Sequence, residues 1–169
     1  MKKPILRRIA NRVLGMIARF APGATGVRPW LHRLRGVKIS GTVFIGDDVY
    51  IENEYPEQIE LEDGAQLTVR CVLLAHTRGA GRIRICKDAF VGANCVITAP
   101  AGRTLVIGEG AVIAAGSVIS MSVPPHTLVG SERPGALAEV TVPLTMHTTY
   151  DAFAFGLRPV KKGQGPVNK

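Results

Sequence analysis

The amino-acid sequence predicts a mainly β protein, in which a parallel β-helix of about four coils lies between an N-terminal helix and a C-terminal tail. Aliphatic residues recur every six positions through the middle of the chain, and extra residues enter this repeat at regular places. The composition agrees, since the 169 residues include 19 glycines and 11 prolines but only 5% aromatic residues. We therefore expect an amphipathic helix and lead-in at 1–36, the β-helix at 37–130 and a non-repetitive tail at 131–169.

The six-residue repeat is clearest near the end of the middle region, where Ile107, Ile113 and Ile119 follow one another at this spacing. Because six is a multiple of two, each repeat turns the same strand face toward the interior. Three repeats close one triangular coil if each repeat forms one flat side. The pattern then predicts coils that begin at Ile39, Leu61, Ile85 and Ile107.

The insertions in the repeat all fall after the third side of a coil, and they predict loops at 53–58, 75–82 and 99–104 that project from one corner. Aliphatic side chains should stack in the interior from coil to coil, about 4.8 Å apart. One corner position of the interior takes only small residues, namely Val49, Cys71, Cys95 and Ser117. We therefore expect the two cysteines to fill space rather than to react.

The end of the repeat region resembles a known family. The stretch IGEGAVIAAGSVIS at 107–120, followed by VPPHTLVG at 123–130, is similar to the last coil and exit of the hexapeptide-repeat acyltransferases. The resemblance spans a little over half of the chain and implies a left-handed parallel β-helix that assembles as a homotrimer. It also implies an acetyl-CoA-dependent O-acetyltransferase of surface-glycan biosynthesis, which acetylates a sugar hydroxyl in a polysaccharide or glycoconjugate pathway.

His76 is the predicted catalytic residue. It stands where the third side of the second coil runs into the longest corner loop, and the same junction resembles the segment with the catalytic histidine in the O-acetyltransferases. A sugar hydroxyl attacks a thioester poorly until a base accepts its proton, and imidazole suits that task at neutral pH. Glu52 and Asn53 lie at the matching corner one coil earlier, and the resemblance implies that one of them contacts the acceptor.

The resemblance also implies that coenzyme A lies along the coils between neighbouring subunits, where small residues let its pantetheine arm approach the backbone. The expected cofactor contacts are Phe90, Gly92, Ala93, Ala115, Gly116, Ser117 and Ser120. The family often has a lysine near the cofactor phosphates, but this chain reads Ser-Met-Ser at 120–122. A basic group must therefore come from elsewhere in the chain, and Arg133 and Arg103 are the candidates.

The first twenty residues predict a basic amphipathic helix, since an apolar stripe at helical spacing is flanked by Arg8, Arg12 and Arg19. The stripe consists of Ile5, Ile9, Val13, Met16, Ile17 and Phe20. Two roles stay open: the stripe lies on an anionic membrane face, or it covers the β-helix or a neighbouring subunit. No apolar run reaches membrane-spanning length, so we expect a cytoplasmic protein, peripheral on the inner membrane face if the helix binds lipid.

Other functions stay open beside O-acetylation. N-acetylation of an amino-sugar is the nearest variant, the acceptor in either case being a sugar or a lipid-linked glycan, and a non-catalytic trimeric scaffold is a different class. A zinc hydratase of this fold needs three histidines that converge from adjacent coils, whereas only His76 lies on the coils, so we expect no metal. The net charge of +8 suits an anionic partner, but aromatic platforms and a reading helix for nucleic acid are missing from the sequence.

Overall fold

The structure, a computed structural model, describes residues 4–76, 79–131, 138–143, 145 and 147–159. Its internal contacts divide the chain into two units, Met1–Ser131 and Glu132–Lys169. The first unit contains two helices and the coils. The second contains α3 (Tyr150–Phe155) and a two-stranded antiparallel sheet of β14 (Ala138–Val140) and β15 (Leu157–Pro159).

The first unit begins with α1 (Ile5–Phe20) and α2 (Val27–Arg35) and continues with thirteen short strands among its described residues. The first coil has β1 (Lys38–Ile39), β2 (Phe44–Ile45) and β3 (Tyr50–Ile51), and the second has β4 (Ile59–Leu61), β5 (Gln66–Leu67) and β6 (Val72–Leu74). The third has β7 (Arg82–Ile85), β8 (Phe90–Val91) and β9 (Val96–Thr98). The fourth has β10 (Thr104–Ile107), β11 (Val112–Ile113) and β12 (Val118–Ile119), and β13 (Leu128–Val129) follows it.

Corresponding sides of successive coils pair in parallel, and the pairs build three sheets. Their strand orders are β1-β4-β7-β10, β13-β11-β8-β5-β2 and β12-β9-β6-β3. Each strand is short because the chain must turn a corner every six residues, and the backbone hydrogen bonds of the strands therefore run between neighbouring coils. The predicted mainly β fold with about four parallel coils is confirmed.

The interior follows the predicted register. On the first side Ile39 pairs with Leu61, Leu61 with Ile85 and Ile85 with Ile107. The other two sides pair in the same way, through Ile45, Leu67, Val91 and Ile113 and through Ile51, Leu73, Ile97 and Ile119. All of these side chains are buried except Ile39, which lies at the open end of the first coil and is half-buried.

Two of the predicted corner loops are shorter than expected. The predicted loops include Arg82 and Thr104, but these residues begin β7 and β10. The residues that follow them, Ile83 and Leu105, are buried and pair with each other. The extension arises because the last residue of each of these two loops continues the first side of the next coil. The first of the three loops contains a turn of 3₁₀-helix at Pro56–Gln58.

The α1 helix packs against the coils with its polar and small residues. Asn11, Gly15 and Ala18 are buried, and the Asn11 amide donates a hydrogen bond to the backbone oxygen of Asn53 at 3.3 Å. A Cβ on Gly15 would lie 2.8 Å from the Asn53 Oδ1, so the close approach needs the glycine.

The predicted apolar stripe of α1 is exposed, with Ile5 70%, Ile9 55% and Phe20 75% accessible. The stripe therefore does not cover the β-helix of its own chain, and the prediction of that contact is wrong. The α2 helix likewise leaves Val27, Trp30 and Leu34 exposed. In the described part of the chain, neither helix combines the length and the apolar character needed to cross a bilayer.

Candidate functional site

His76 lies just after β6, at the corner where the second coil passes into its loop. The preceding Ala75 is fully buried and anchors the backbone, whereas the imidazole is exposed. The imidazole lies against the ring of Tyr55, with the ring centroids 4.8 Å apart and the planes tilted by 52°. An exposed imidazole supported by an aromatic ring can accept a proton from a molecule that reaches this corner.

The Glu54 carboxylate interacts electrostatically with His76 and is held by Arg8 of α1. Arg8 Nε donates to Glu54 Oε2 at 2.8 Å, and Arg8 Nη2 donates to Glu54 Oε1 at 3.1 Å. The hydrogen bond from Arg8 holds the pKa of Glu54 below its usual value, so the carboxylate stays ionised beside the imidazole.

The predicted acceptor-binding residues Glu52 and Asn53 are tied up within the chain. Glu52 is 5% exposed, and its Oε1 accepts the backbone N–H of Glu54 at 3.1 Å. The Asn53 Oδ1 accepts a hydrogen bond from Arg35 Nη2 at 2.6 Å, and the Asn53 Nδ2 donates to the hydroxyl of Tyr50 at 3.2 Å. These bonds shape the corner, and contact between either residue and an acceptor stays a prediction.

Arg35 is a buried guanidinium that joins α2 to the first coil. Its Nη2 donates to the backbone oxygens of Ile51 at 2.9 Å and Glu52 at 2.8 Å. Its Nη1 donates to His32 Nδ1 at 2.9 Å, and because arginine only donates, the proton of His32 sits on Nε2. Burial, and then the charge of Arg35, lowers the pKa of His32 to about 3, while burial lowers the pKa of Arg35 to about 10. This network anchors the segment that leads to Glu54.

The predicted cofactor contacts divide into accessible and buried residues. Ala115, Gly116 and Ser120 are exposed, while Phe90 and Ala93 are half-buried. These five are available to a ligand that lies along the third and fourth coils, and their contact with coenzyme A stays a prediction.

Gly92 and Ser117, the other two, serve the packing of the coils. A Cβ on Gly92 would lie 2.6 Å from the backbone nitrogen of Ala115, so the stacking of the fourth coil on the third requires the glycine. Ser117 is fully buried, and its hydroxyl donates to the backbone oxygen of Ala114 at 2.6 Å and accepts the N–H of Ser131 at 3.2 Å. The absence of a side chain at Gly92 therefore has a structural explanation that needs no cofactor.

Two arginines stand together at the corner of the third and fourth coils. Arg103 lines a groove of about 160 Å³ with Ser120, and a second groove of about 390 Å³ with Arg82. Arg82 is brought there because it pairs with Thr104 of the next coil. Guanidinium groups bind phosphate oxygens well, so this corner suits the phosphates of a nucleotide. The other predicted basic residue, Arg133, lies outside the described residues.

The cysteines of the described chain are unsuited to act as nucleophiles. Cys71 and Cys95 are fully buried, and their Sγ atoms lie 3.2 Å from the backbone oxygen of Gly92 and 3.1 Å from that of Ala114. Desolvation by burial raises the pKa of both thiols and also that of the half-buried Cys86. A thiol with a raised pKa is a poor nucleophile at neutral pH.

The described residues also bring no three histidine, cysteine, aspartate or glutamate side chains together as ligands for a metal ion.

Sequence reasoning missed three residues of this corner, namely Glu54, Tyr55 and Arg8. A signal for Glu54 exists in the sequence, because Ile51 pairs with Leu73 and the same offset, carried three residues further, sets Glu54 against His76. Arg8 has no such signal, since it comes from a helix 46 residues earlier in the chain.

No family model matches the chain. The chain is 28% identical over 137 residues to a protein of Bacillus subtilis (strain 168) named "Putative acetyltransferase YvoF", and the match covers 75% of this chain and 74% of that protein. The similarity and the β-helix of parallel coils together fit an acetyltransferase.

Proposed function

We propose that the protein transfers an acetyl group from acetyl-CoA to a sugar hydroxyl in a polysaccharide or glycoconjugate pathway, with His76 as the general base. The observation that carries the proposal is the corner at His76, where an exposed imidazole, an aromatic ring and a carboxylate meet on a β-helix. The similarity to a protein named as an acetyltransferase supports acetyl transfer in general.

The reaction needs one proton acceptor. His76 takes the proton of the acceptor hydroxyl as its oxygen attacks the thioester carbonyl, and the coenzyme A thiolate leaves when the tetrahedral intermediate collapses. The imidazolium then returns the proton to the thiolate, so the products are the acetyl ester and coenzyme A. The ionised Glu54 stabilises the imidazolium that forms on the way. A base of this kind contributes about 10²–10⁴-fold to the rate.

Direct transfer, without an acyl-enzyme, agrees with the state of the cysteines. Their thiols have raised pKa values, and two of the three are fully buried. For the co-substrate, we propose that Ala115, Gly116 and Ser120 border the pantetheine arm and that Arg103, with Arg82 beside it, binds its phosphates in place of the missing lysine.

We also propose that the protein is a homotrimer, because two of its three outer faces are largely apolar. The β2-β5-β8-β11-β13 face presents Phe44, Phe90, Val112 and Leu128 around a single polar residue, Gln66. The β3-β6-β9-β12 face presents Tyr50, Val72, Val96 and Val118. The third face differs, since Arg84 forms ion pairs there with Glu60 and Glu62. A triangular coil that joins two neighbours through two faces, and leaves the third in water, fits a closed three-fold assembly.

The experiment is to measure thiol release from acetyl-CoA in the presence of a panel of glycans and amino-sugars. We expect His76→Ala to lower the rate by about 10²-fold or more while coenzyme A binding, followed by calorimetry, stays nearly unchanged. The matched control is His126→Asn, which removes another exposed histidine at a left-handed backbone position that asparagine tolerates.

The outcomes separate the candidate functions. Near-normal turnover by the His76→Ala protein would show that the base is elsewhere. Transfer to amino-sugars alone would identify the reaction as N-acetylation. Failure of the wild-type protein to bind coenzyme A would refute acyl transfer and leave the trimeric scaffold.

A further inference from the structure

The α1 helix has two faces that lie on opposite sides of its axis. At about 100° per residue, the buried residues Asn11, Gly15 and Ala18 centre on one direction, and the exposed apolar residues fall in an arc of about 120° on the other side. This arc, the outer face of α1, consists of Ile5, Leu6, Ile9, Val13, Met16, Ile17 and Phe20. Each is between 49% and 77% exposed, so the whole arc is open at once.

A helix normally turns its apolar side toward the protein core. Here the core-facing side is fixed by specific polar contacts instead. Asn11 hydrogen-bonds the loop at Asn53, and Arg19 donates from Nε to Asp48 Oδ1 at 2.8 Å. These contacts hold α1 with its apolar side outward, so the outer face is open to a partner outside the subunit.

The charged residues of α1 and α2 themselves are all basic. Ten of the 21 lysine and arginine residues lie in the first 46 residues, whereas none of the 13 aspartate and glutamate residues does. The rest of the chain therefore has a slight excess of acid, and the net charge of +8 comes from the helical segment. Arg8, Arg12 and Arg19 project from one edge of the outer face by the same helical spacing. Arg7 lies beyond the other edge, and its Nη2 donates to the backbone oxygens of Leu34 and Arg35 in α2 at 3.2 Å each.

We propose that the outer face of α1 docks the protein on an anionic lipid bilayer, with the helix in the plane of the interface. An apolar arc with arginines along its edge is an arrangement that inserts at the boundary of headgroups and acyl chains, where apolar burial and attraction to anionic lipid add together. A second copy of the same face is a poorer partner, because two such surfaces would bring like charges together without a compensating carboxylate on α1 or α2.

The bilayer is a different partner from the acetyl acceptor, but docking of α1 on it would determine where the corner of His76 lies. Arg8 of α1 holds Glu54, which interacts with His76, so docking would keep the corner of His76 close to the lipid headgroups. That consequence rests on the proposed function, whereas bilayer binding does not.

The test is co-sedimentation of the full chain with vesicles of phosphatidylcholine containing an equal part of phosphatidylglycerol, compared with phosphatidylcholine alone. We expect about tenfold or stronger partitioning onto the anionic vesicles at low salt, and a loss of that preference in concentrated salt. Ile9→Ser combined with Val13→Ser should weaken partitioning about tenfold or more. Its control, Val69→Ser, changes an exposed apolar residue on the coils and should leave partitioning unchanged.

A second pair of variants tests the charge. Arg12→Ala should weaken partitioning onto the anionic vesicles about fivefold. The control Arg70→Asn, at an exposed corner of the coils where the backbone is left-handed and asparagine is tolerated, should change it by less than about twofold. Thermal unfolding of each variant checks that it is folded. If the double serine variant does not fold, Phe20→Ser tests the same face at its far end.

Equal partitioning onto both kinds of vesicle, or partitioning that survives the serine substitutions, would overturn the proposal. So would a change of oligomeric mass in the double serine variant, seen by light scattering, without vesicle binding by the wild-type protein. That result would assign the outer face to a contact between subunits.

Discussion

The coils and the two N-terminal helices place their apolar residues on opposite sides. In the coils the aliphatic residues of each side point inward and are almost all fully buried. In α1 and α2 most large apolar residues point outward, with Leu31 of α2 as a buried exception. The residues that face the coils include a buried arginine, a buried histidine and a buried asparagine. The coil interior is therefore mainly aliphatic, while the contact between helices and coils is a polar network.

The difference follows from how much freedom each element has. A coil encloses its own interior, so a period of two decides at once which side chains are buried. A helix, by contrast, cannot bury its own apolar side, and a separate surface must pack against that side to bury it. The end of the first coil offers backbone oxygens of Ile51 and Glu52 at its edge, and these groups need donors, which Arg35 supplies.

The largest effect we expect is on a coil residue. Leu67 is fully buried between Ile45 and Val91, so Leu67→Ala should lower the free energy of unfolding by about 2–5 kcal/mol. Ile9→Ala on the outer face of α1 should change it by less than about 0.5 kcal/mol, because Ile9 is 55% exposed. Urea unfolding measures both. A similar loss in the two variants would show that Ile9 is covered by a partner subunit in solution.

A smaller effect concerns the polar network under the helices. The folded state keeps His32 neutral down to a pKa of about 3, whereas an unfolded histidine binds a proton near pH 6.5. The unfolded state therefore holds more protons between these values, and the free energy of unfolding should fall by about 2 kcal/mol as the pH drops from 7 to 5.

The control for this pH dependence is His32→Asn, whose Oδ1 can accept the hydrogen bond from Arg35 without titrating. Denaturant titrations at the two pH values compare the proteins. If the wild type and the variant lose the same amount, the buried histidine is not the cause.

The smallest effects distinguish two glycines of the coils. Gly92→Ala should cost about 1–3 kcal/mol, because its Cβ meets the backbone of Ala115. Gly116→Asn should cost less than about 1 kcal/mol, since no atom would touch its Cβ and Asn94 already has the same left-handed backbone one coil earlier. The midpoints of thermal unfolding give the comparison. A Gly92→Ala protein as stable as the wild type would show that the coils can separate locally.

Much of the candidate site followed from the sequence alone. The repeat placed His76 at the end of the third side of the second coil, and the structure has it at that corner, exposed after β6. The prediction of Glu52 and Asn53 as its neighbours stopped short of Glu54, which the register of β3 and β6 sets against His76. Arg8 and Arg35 were not predicted at this corner, because they come from helices that share no repeat with the coils.

The sequence by itself determined the coils, the residues inside them and the corner at which the loops project, because a six-residue period fixes both the turns of the chain and the direction of each side chain. It also determined that α1 has an apolar side flanked by arginines. Only the tertiary structure decided which way that side faces. Its direction depends on hydrogen bonds between α1, α2 and the first coil, which join residues far apart in the chain, and no local pattern encodes such pairings.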